Sequence, residues 1–115
     1  MTADRPADKR ILGLIGMANR AGRTASGEFS AERSVKAFRA QLVIVAEDAS
    51  PNTKKLFRDK CAFYEVPYAE FSGKEELGRI LGKHERASLA IEDAGFAAAI
   101  LKLLGRTDIP DSNQR

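Results

Sequence analysis

The sequence predicts a single α/β domain in three layers, because strand-type and helix-type apolar patterns alternate along its length. Two segments, LVIVA at residues 42–46 and ASLAI at residues 87–91, are continuous apolar runs, which are typical of strands covered on both faces. The segments around them have apolar residues at a helical spacing. Since each helix must cover one face of a shared sheet, we expect about five helices and four short strands.

The first forty residues predict two helices joined by a short strand. In the first helix the apolar residues recur at i, i+3, i+4 and i+7, which places them on one face. A short strand at residues 23–26 follows, and the second helix spans residues 28–39 with Ser26 or Gly27 at its start. The stripe of the first helix consists of Ile11, Leu14, Ile15 and Ala18. The stripe of the second helix consists of Ala31, Val35 and Phe38.

The middle of the chain predicts a central strand and then a helix with a clear start. LVIVA is rich in β-branched residues, as strands are. SPNTKK then opens the third helix, with Ser50 as N-cap and Pro51 at the first helical position, where its missing N–H costs nothing. The buried stripe of this helix consists of Phe57, Cys61 and Tyr64.

The last third of the chain predicts two more strands and two more helices. PYAEF at residues 67–71 is a short strand, and Ser72 with Glu75 has the spacing of a capping box for the fourth helix. After the strand ASLAI, Asp93 caps the fifth helix and Gly105 ends it. The inward residues are Leu77, Ile80 and Leu81 in the fourth helix and Ala97, Ile100, Leu101 and Leu104 in the fifth.

The composition is that of a folded domain with a slight basic excess. In a chain of 115 residues, 43% are hydrophobic and 30% charged, so it can bury a core and still solvate its surface. We expect one domain at residues 1–105 and a disordered C-terminal tail at residues 106–115, which are polar. Lysine and arginine outnumber aspartate and glutamate by 19 to 16, and the pI of about 9.2 favours anionic partners such as nucleic acid.

The single cysteine and the short apolar runs indicate the compartment. Cys61 can form no internal disulfide, which fits a reducing environment. ILGLIGMA, after Lys9 and Arg10, imitates a signal peptide, but it is too short and is followed at once by Asn19 and Arg20. No run approaches the ~20 apolar residues that span a bilayer. We therefore expect a cytoplasmic protein without a membrane partner.

Catalysis has little support in the sequence. His84 is the only histidine that could serve as a base, and it lies in the charged turn KHER, where an exposed side chain or an RNA contact is the better interpretation. Cys61 lies on an inward stripe and is interpreted as a core residue rather than as a nucleophile. The sequence has no phosphate-binding glycine motif with its lysine and no histidine or cysteine metal cluster. We predict neither a catalytic residue, nor a metal, nor a cofactor.

Two carboxylates at the end of the central strand are the strongest competing site. Glu47 and Asp48 resemble part of a magnesium or phosphoacceptor pocket, but such pockets need further acids from neighbouring strands. We expect Asp48 to cap the turn into the third helix, and Glu47 to be solvated or paired with a nearby lysine or arginine.

Basic residues gather around the second helix. Five of them flank or belong to this region: Arg20, Arg23, Arg33, Lys36 and Arg39. Arg33 and Lys36 fall at i and i+3 on one helix face, and the helix start after SGE presents unpaired N–H groups that can hold a phosphate. Charge alone leaves a binding surface and an ordinary solvated face equally open.

Four segments standing together in order, LVIVAEDASPNTKK, DKCAFYEVPY, ELGRILGK and AIEDAGFA, carry a family resemblance. They resemble the bacterial YlxQ branch of the L7Ae ribosomal protein family, over about residues 10–104. The resemblance implies an α/β/α sandwich with a mixed four-stranded sheet, no catalytic activity and a surface that binds kink-turn RNA. In that family the contacts come from a glycine-led helix start and from the loop before the last strand.

Carried over by position, the first RNA-binding segment consists of Gly27, Glu28, Phe29, Ser30 and Arg33. Phe29 and Ser30 stand where the archaeal proteins have an asparagine and a glutamate that read the paired bases of the kink. Phe29 could stack on an unpaired base or pack beneath the loop, and packing is the favoured expectation. The second loop is apolar in those proteins and is charged here, with Lys83, His84, Glu85 and Arg86.

The sequence therefore predicts a monomeric, non-catalytic RNA-binding protein that recognises a bent, kink-turn type RNA, with the ribosome or another ribonucleoprotein as its setting. The alternative is a protein-interaction or substrate-binding module of the same fold. Surface charge separates the two, because RNA binding requires the basic residues on one face. The residues expected at the RNA surface are Arg23, Gly27, Glu28, Phe29, Ser30, Arg33, Lys36, Lys83, His84 and Arg86.

Overall fold

The computed structural model describes residues 6–105 and contains five α-helices and four β-strands. Their order along the chain is α1 (Pro6–Arg20), β1 (Thr24–Ser26), α2 (Glu28–Lys36), β2 (Leu42–Val45), α3 (Pro51–Tyr64), β3 (Tyr68–Glu70), α4 (Lys74–Ile80), β4 (Ser88–Ile91) and α5 (Ala94–Leu103). The predicted fold class is confirmed. The expected tail and the first five residues lie outside the described residues.

The four strands form one mixed sheet in the order β1-β4-β2-β3. The pairs β1–β4 and β4–β2 are antiparallel, whereas β2–β3 is parallel. Val43 of β2 lies opposite Ala90 of β4 on one side and Tyr68 of β3 on the other. The prediction that LVIVA is a central strand is therefore confirmed, and β4 is the second central strand.

The helices cover the sheet on both faces. α2 packs with α3 on one face, and α1 packs with α4 and α5 on the other. The buried core between these layers contains every residue of β2 and β4. In the part of the chain that the structure describes, no helix is both long enough and apolar enough to cross a membrane.

Helix starts agree with the predicted caps in α3 and α5. Ser50 accepts a hydrogen bond from the N–H of Thr53 at 3.1 Å, with Pro51 at the first helical position. Asp93 accepts one from the N–H of Phe96 at 2.8 Å. Local side chains are enough to define both starts.

The second helix is shorter than predicted, and the inward position of Phe38 is wrong. α2 ends at Lys36, after which Phe38 has φ 60° and donates its N–H to Val35 O at 3.1 Å, while Arg39 donates to Ser34 O at 3.0 Å. These two bonds close the helix with a Schellman motif, in which Phe38 occupies the left-handed position that usually holds glycine. Its side chain is 76% exposed and contacts the edge of the Tyr64 ring.

The predicted capping box of α4 is also wrong. Ser72 lies before the actual N-cap, Gly73, and its hydroxyl donates to Glu76 Oε1 at 2.7 Å. The first N–H of the helix, that of Lys74, donates to Asp48 Oδ1 at 2.9 Å. Asp48 therefore caps α4 and not the turn into α3, because the fold brings its carboxylate to a helix start that lies 26 residues further along the chain.

Candidate nucleic-acid interface

The start of α2 is built on Gly27 and held against the sheet. Gly27 has φ 93°, a conformation that glycine adopts without the steric cost that a side chain would bring. Its N–H donates to the Ser88 carbonyl of β4 at 2.9 Å. The turn therefore has a fixed position, and the first residues of α2, Glu28, Phe29 and Ser30, are exposed beyond it.

The loop between α4 and β4 lies beside this helix start. Arg86 Nε donates to Ser26 Oγ at 3.4 Å, and Arg86 Nη1 donates to the Glu85 carbonyl at 3.0 Å. The Arg86 side chain also lies beside Gly27. If residue 27 had a Cβ, that atom would be 3.8 Å from Arg86 Nε, which is ordinary van der Waals contact. The two segments that the sequence singled out separately thus form one surface.

A groove of about 610 Å³ runs across this surface, and we call it the cationic groove. Four basic side chains line it against a single carboxylate, that of Glu92. Its lining residues are Asn19, Thr24, Ala25, Ser26, Ser30, Arg33, Arg39, Lys83, Arg86 and Glu92. Such an excess of positive charge in a concave surface attracts polyanions.

Hydrogen bonds hold the polar floor of the cationic groove in place. Glu92 accepts a hydrogen bond from Ser34 Oγ at 2.6 Å and lies 3.6 Å from Arg39 Nε. On the other side, Thr24 donates to Asn19 Oδ1 at 2.7 Å, and Asn19 Nδ2 donates to the Leu81 carbonyl at 3.4 Å. Since Glu92 pairs with Arg39, it offsets one of the four positive charges of the groove.

Three of the predicted basic residues, Arg33, Lys83 and Arg86, line the cationic groove together with Ser30. The other predicted residues border it or face elsewhere. Arg23 is exposed directly before β1, and His84 is exposed in the turn after α4. Glu28 and Lys36 contact neighbouring side chains instead.

Glu28 contacts a side chain of α3, and Lys36 pairs within α2. Glu28 Oε1 accepts a hydrogen bond from Thr53 Oγ1 at 3.4 Å. Lys36 Nζ lies 3.9 Å from Glu32, which also lies 3.7 Å from Lys60 of α3. Arg33 and Lys36 therefore have different surroundings, although their spacing in the sequence places them on one helix face.

The expectation that Phe29 packs beneath the loop is wrong, because its side chain is 75% exposed. The buried positions of α2 are Ala31, Ser34 and Val35. Residue 29 precedes Ala31 by two positions, which is about 200° around the helix. The Arg33 guanidinium carbon lies 6.0 Å from the centre of the Phe29 ring. An exposed ring next to a cation can stack on an unpaired base.

Glu47 and Asp48, the competing acidic site, make contacts that stabilise the fold. Asp48 caps α4, and the Glu47 backbone carbonyl accepts a hydrogen bond from Lys54 Nζ at 2.7 Å. The Glu47 side chain is exposed, as one of the two expected alternatives had it. Within residues 6–105 there is no group of three histidine, cysteine or acidic side chains arranged to hold a metal ion.

Cys61 is a core residue, as predicted. Its side chain is 1% exposed, and burial raises the pKa of the thiol from 9.0 to about 12. A thiol with such a pKa carries almost no thiolate at neutral pH, so it is a poor nucleophile.

Replacing Cys61 with serine should lower the free energy of unfolding by about 1–3 kcal/mol, because the new hydroxyl would be buried. Cys61→Ala is the matched control, since it also loses the sulfur but adds no polar atom. Urea denaturation of both variants measures the difference. Equal stability of Cys61→Ser and the parent protein would contradict the core assignment.

Several residues of this surface were missed by sequence reasoning. Arg39 was counted among the basic residues but not placed at the RNA surface, and Asn19 and Thr24 gave no signal at all. Gly78 of α4 allows the loop that carries Lys83 and Arg86 to pack against the helix, because a Cβ at residue 78 would lie 2.1 Å from the carbonyl oxygen of His84. A glycine inside an otherwise regular helix is the signal that could have revealed this close approach.

Comparison with known proteins places the chain in a family. Residues 9–101 match the model of the ribosomal protein L7Ae/L30e/S12e/Gadd45 family. The chain is 44% identical over 91 residues to the RNA-binding protein YlxQ of Bacillus subtilis. The aligned region covers 79% of this chain and 91% of that protein. The chain is 38% identical over 96 residues to the RNA-binding protein YlxQ of Enterococcus faecium, covering 84% and 92% of the two chains.

A solved structure shares the fold of this chain. A protein of unknown function from Bacillus halodurans superimposes with a TM-score of 0.81 at 36% identity, covering 84% of this chain and 98% of that one. Since the family model spans most of the chain and the relatives are matched over nearly their whole length, the chain belongs to the ribosomal protein L7Ae/L30e/S12e/Gadd45 family.

Proposed function

We propose that this protein is a non-catalytic, cytoplasmic RNA-binding protein that holds a sharply bent, kink-turn type RNA in the cationic groove, as part of a ribosome or another ribonucleoprotein. The observation that carries the proposal is the meeting of the α2 start and the α4–β4 loop at one groove lined by Arg33, Arg39, Lys83 and Arg86. Two relatives that share most of this chain's length are named RNA-binding proteins.

The groove suits a bent RNA better than a straight duplex. An A-form helix hides its base edges in a deep, narrow major groove, so a protein reaches them only where the RNA bends or unpairs. At a sharp bend two phosphate backbones converge and repel each other. Cationic side chains from α2, from the segment that follows it and from the α4–β4 loop line the groove together and can neutralise the converging phosphates.

The start of α2 supplies base and phosphate contacts of a different kind. Its first N–H groups and its positive dipole end suit a phosphate oxygen, while Ser30 and Glu28 have groups that can hydrogen-bond base edges. Phe29 adds an exposed ring on which a base can stack. With Phe29 and Ser30 at these positions, we propose stacking as a larger part of recognition than hydrogen bonding to base pairs.

Affinity for a kink-turn RNA should fall steeply as salt rises, because phosphate contacts release counterions. If the four basic side chains of the groove each contact a phosphate, log K should fall against log salt with a slope of about −3 to −4. Fluorescence anisotropy at several salt concentrations measures the slope. A flat response would mean that the groove does not bind phosphates.

The matched RNA control is a straight duplex with the same flanking sequence and no bulge. It should bind at least about tenfold more weakly, at the level of non-specific association. Equal affinity for the two RNAs would contradict recognition of the bend while leaving general RNA binding in place.

Replacing Phe29 with alanine should weaken RNA binding by about 1–3 kcal/mol if the ring stacks on a base. Stability should not change, because the side chain is already mostly exposed. Phe29→Tyr is the control, since it keeps the ring and should keep the affinity. If Phe29→Ala binds as the parent protein does in the same anisotropy titration, the stacking role is wrong.

A further inference from the structure

Helix α5 is apolar all round, although one side of it faces outward. Its sequence, AGFAAAILKL, contains a single charged residue, Lys102. Ala97, Ile100 and Leu101 face the core, whereas Ala99 and Leu103 are only half-buried, on the side of the helix toward α1. A surface helix normally has a polar outer face, and a helix without one is usually buried. The outer face of α5 thus has the composition of a contact surface.

An apolar groove of about 690 Å³ lies between α1 and α5. Its lining residues are Arg10, Gly13, Leu14, Met17, Ala99, Lys102 and Leu103, and none of them lines the cationic groove. Met17 is 48% exposed within it. Methionine is common at surfaces that adapt to a partner, because its side chain is flexible and polarisable.

Gly13 forms an open floor in the middle of this groove. Among the described residues, no atom other than those of its two chain neighbours and of its own helix backbone would lie within 4 Å of a Cβ at this position. Packing inside the domain therefore does not require a glycine here, and glycine lowers helix stability. Because Gly13 has no side chain, the groove is deep enough there for the backbone of another helix to come close, as at other helix contacts that contain small residues.

The two charged residues of the described chain that line the groove are both basic. Arg10 and Lys102 line the groove, and neither forms an ion pair within residues 6–105. No acidic side chain of the described chain lines it with them. A partner that fills the apolar floor therefore gains most if it carries acidic residues beside its apolar side chains.

We propose that the α1–α5 groove is a docking site for an amphipathic helix of another protein, whose apolar stripe is flanked by acidic residues. A concave channel between two helices matches the cylinder of a third helix, whereas a flat bilayer matches a protruding apolar surface. The cationic groove and the α1–α5 groove have no lining residue in common.

NMR titration of the ¹⁵N-labelled full chain with two synthetic helical peptides tests the proposal. The peptides share one leucine stripe at helical spacing, and glutamates flank it in the first while lysines flank it in the second. The acidic peptide should shift the amide signals of residues 10–17 and 99–103, whereas those of residues 27–33 and 83–86 should stay in place. The basic peptide should bind at least tenfold more weakly.

Charge reversal supplies the decisive variant. In Arg10→Glu/Lys102→Glu the preference should invert, with the acidic peptide weakened at least tenfold and the basic peptide strengthened. Lys55→Glu/Arg79→Glu makes the same charge change away from the groove and should leave the preference unchanged. Circular dichroism verifies that both variants are folded. The affinity for RNA should be unaltered in Arg10→Glu/Lys102→Glu.

Four results would overturn the proposal. They are no shift with either peptide up to 1 mM, equal affinity for both, self-association of the chain through residues 10–17 in sedimentation, and binding to anionic phosphatidylglycerol vesicles in place of the peptides. Each is independent of RNA binding, so failure here would leave the proposed function standing.

Discussion

Replacing Gly78 with alanine should destabilise the protein by about 3 kcal/mol and lower its thermal midpoint by about 12–24 °C. A Cβ at this position would lie 2.1 Å from the carbonyl oxygen and 2.7 Å from the carbonyl carbon of His84. Both are backbone atoms, so the clash cannot be relieved by a side-chain rotation. Either α4 or the loop that follows it must move, and that loop contains Lys83 and Arg86 of the cationic groove.

The matched control is the same substitution in another helix. Gly13→Ala places a Cβ where none of the described atoms beyond its own helix backbone lies within 4 Å, so it should stabilise the protein by about 0.5–1 kcal/mol through helix propensity. Thermal denaturation of the two variants should therefore give changes of opposite sign. RNA affinity should fall in Gly78→Ala, measured on folded protein at low temperature, and stay unchanged in Gly13→Ala. A stable Gly78→Ala variant would mean that the α4–β4 loop does not pack on this glycine.

Replacing Arg33 with alanine should weaken binding to a kink-turn RNA by about 1–3 kcal/mol, or roughly five- to 150-fold. Arg33 lines the cationic groove and can contact a phosphate with two N–H groups, so its loss should also reduce the salt slope by about one ion. Stability should change by less than about 0.5 kcal/mol, because Arg33 is exposed. Anisotropy titrations at three salt concentrations measure both quantities.

Two variants complete this comparison. Lys55→Ala removes the same charge from α3, where Lys55 pairs with Asp59 at 2.7 Å, and should leave affinity unchanged. Glu47→Gln alters the competing acidic strand end and should bind RNA normally. If Arg33→Ala binds like the parent while Glu47→Gln abolishes binding or a magnesium-dependent activity, the acidic strand end is the true site and the RNA surface has been misplaced.

Much of the fold could be predicted from the sequence because its signals are local. The apolar run LVIVA is rich in β-branched residues and so favours a buried strand, and Ser50 with Pro51 is enough to start a helix. The error at the start of α4 arose because a distant group replaced a local one. Ser72 has a capping-box spacing, yet the carboxylate that caps α4 belongs to Asp48.

The candidate site was predictable only in part, for the same reason. The glycine-led start of α2 and the charged loop KHER could be found separately, since each has its own composition. Their proximity could not, because Arg86 and Ser26 are 60 residues apart in the chain. Phe29 was misjudged because burial depends on where the helix faces, which only packing against the sheet decides.

The sequence by itself determined the order of the elements, the central position of LVIVA, the core position of Cys61 and the residues available for binding. Periodicity and capping act over a few residues, so they can be read along the chain. Only the tertiary structure decided that Arg33, Arg39, Lys83 and Arg86 share one groove, that Lys36 pairs with Glu32 instead, and that Gly78 supports the loop between them. Such contacts join residues that are far apart in the sequence, and they depend on how the packed helices orient each surface.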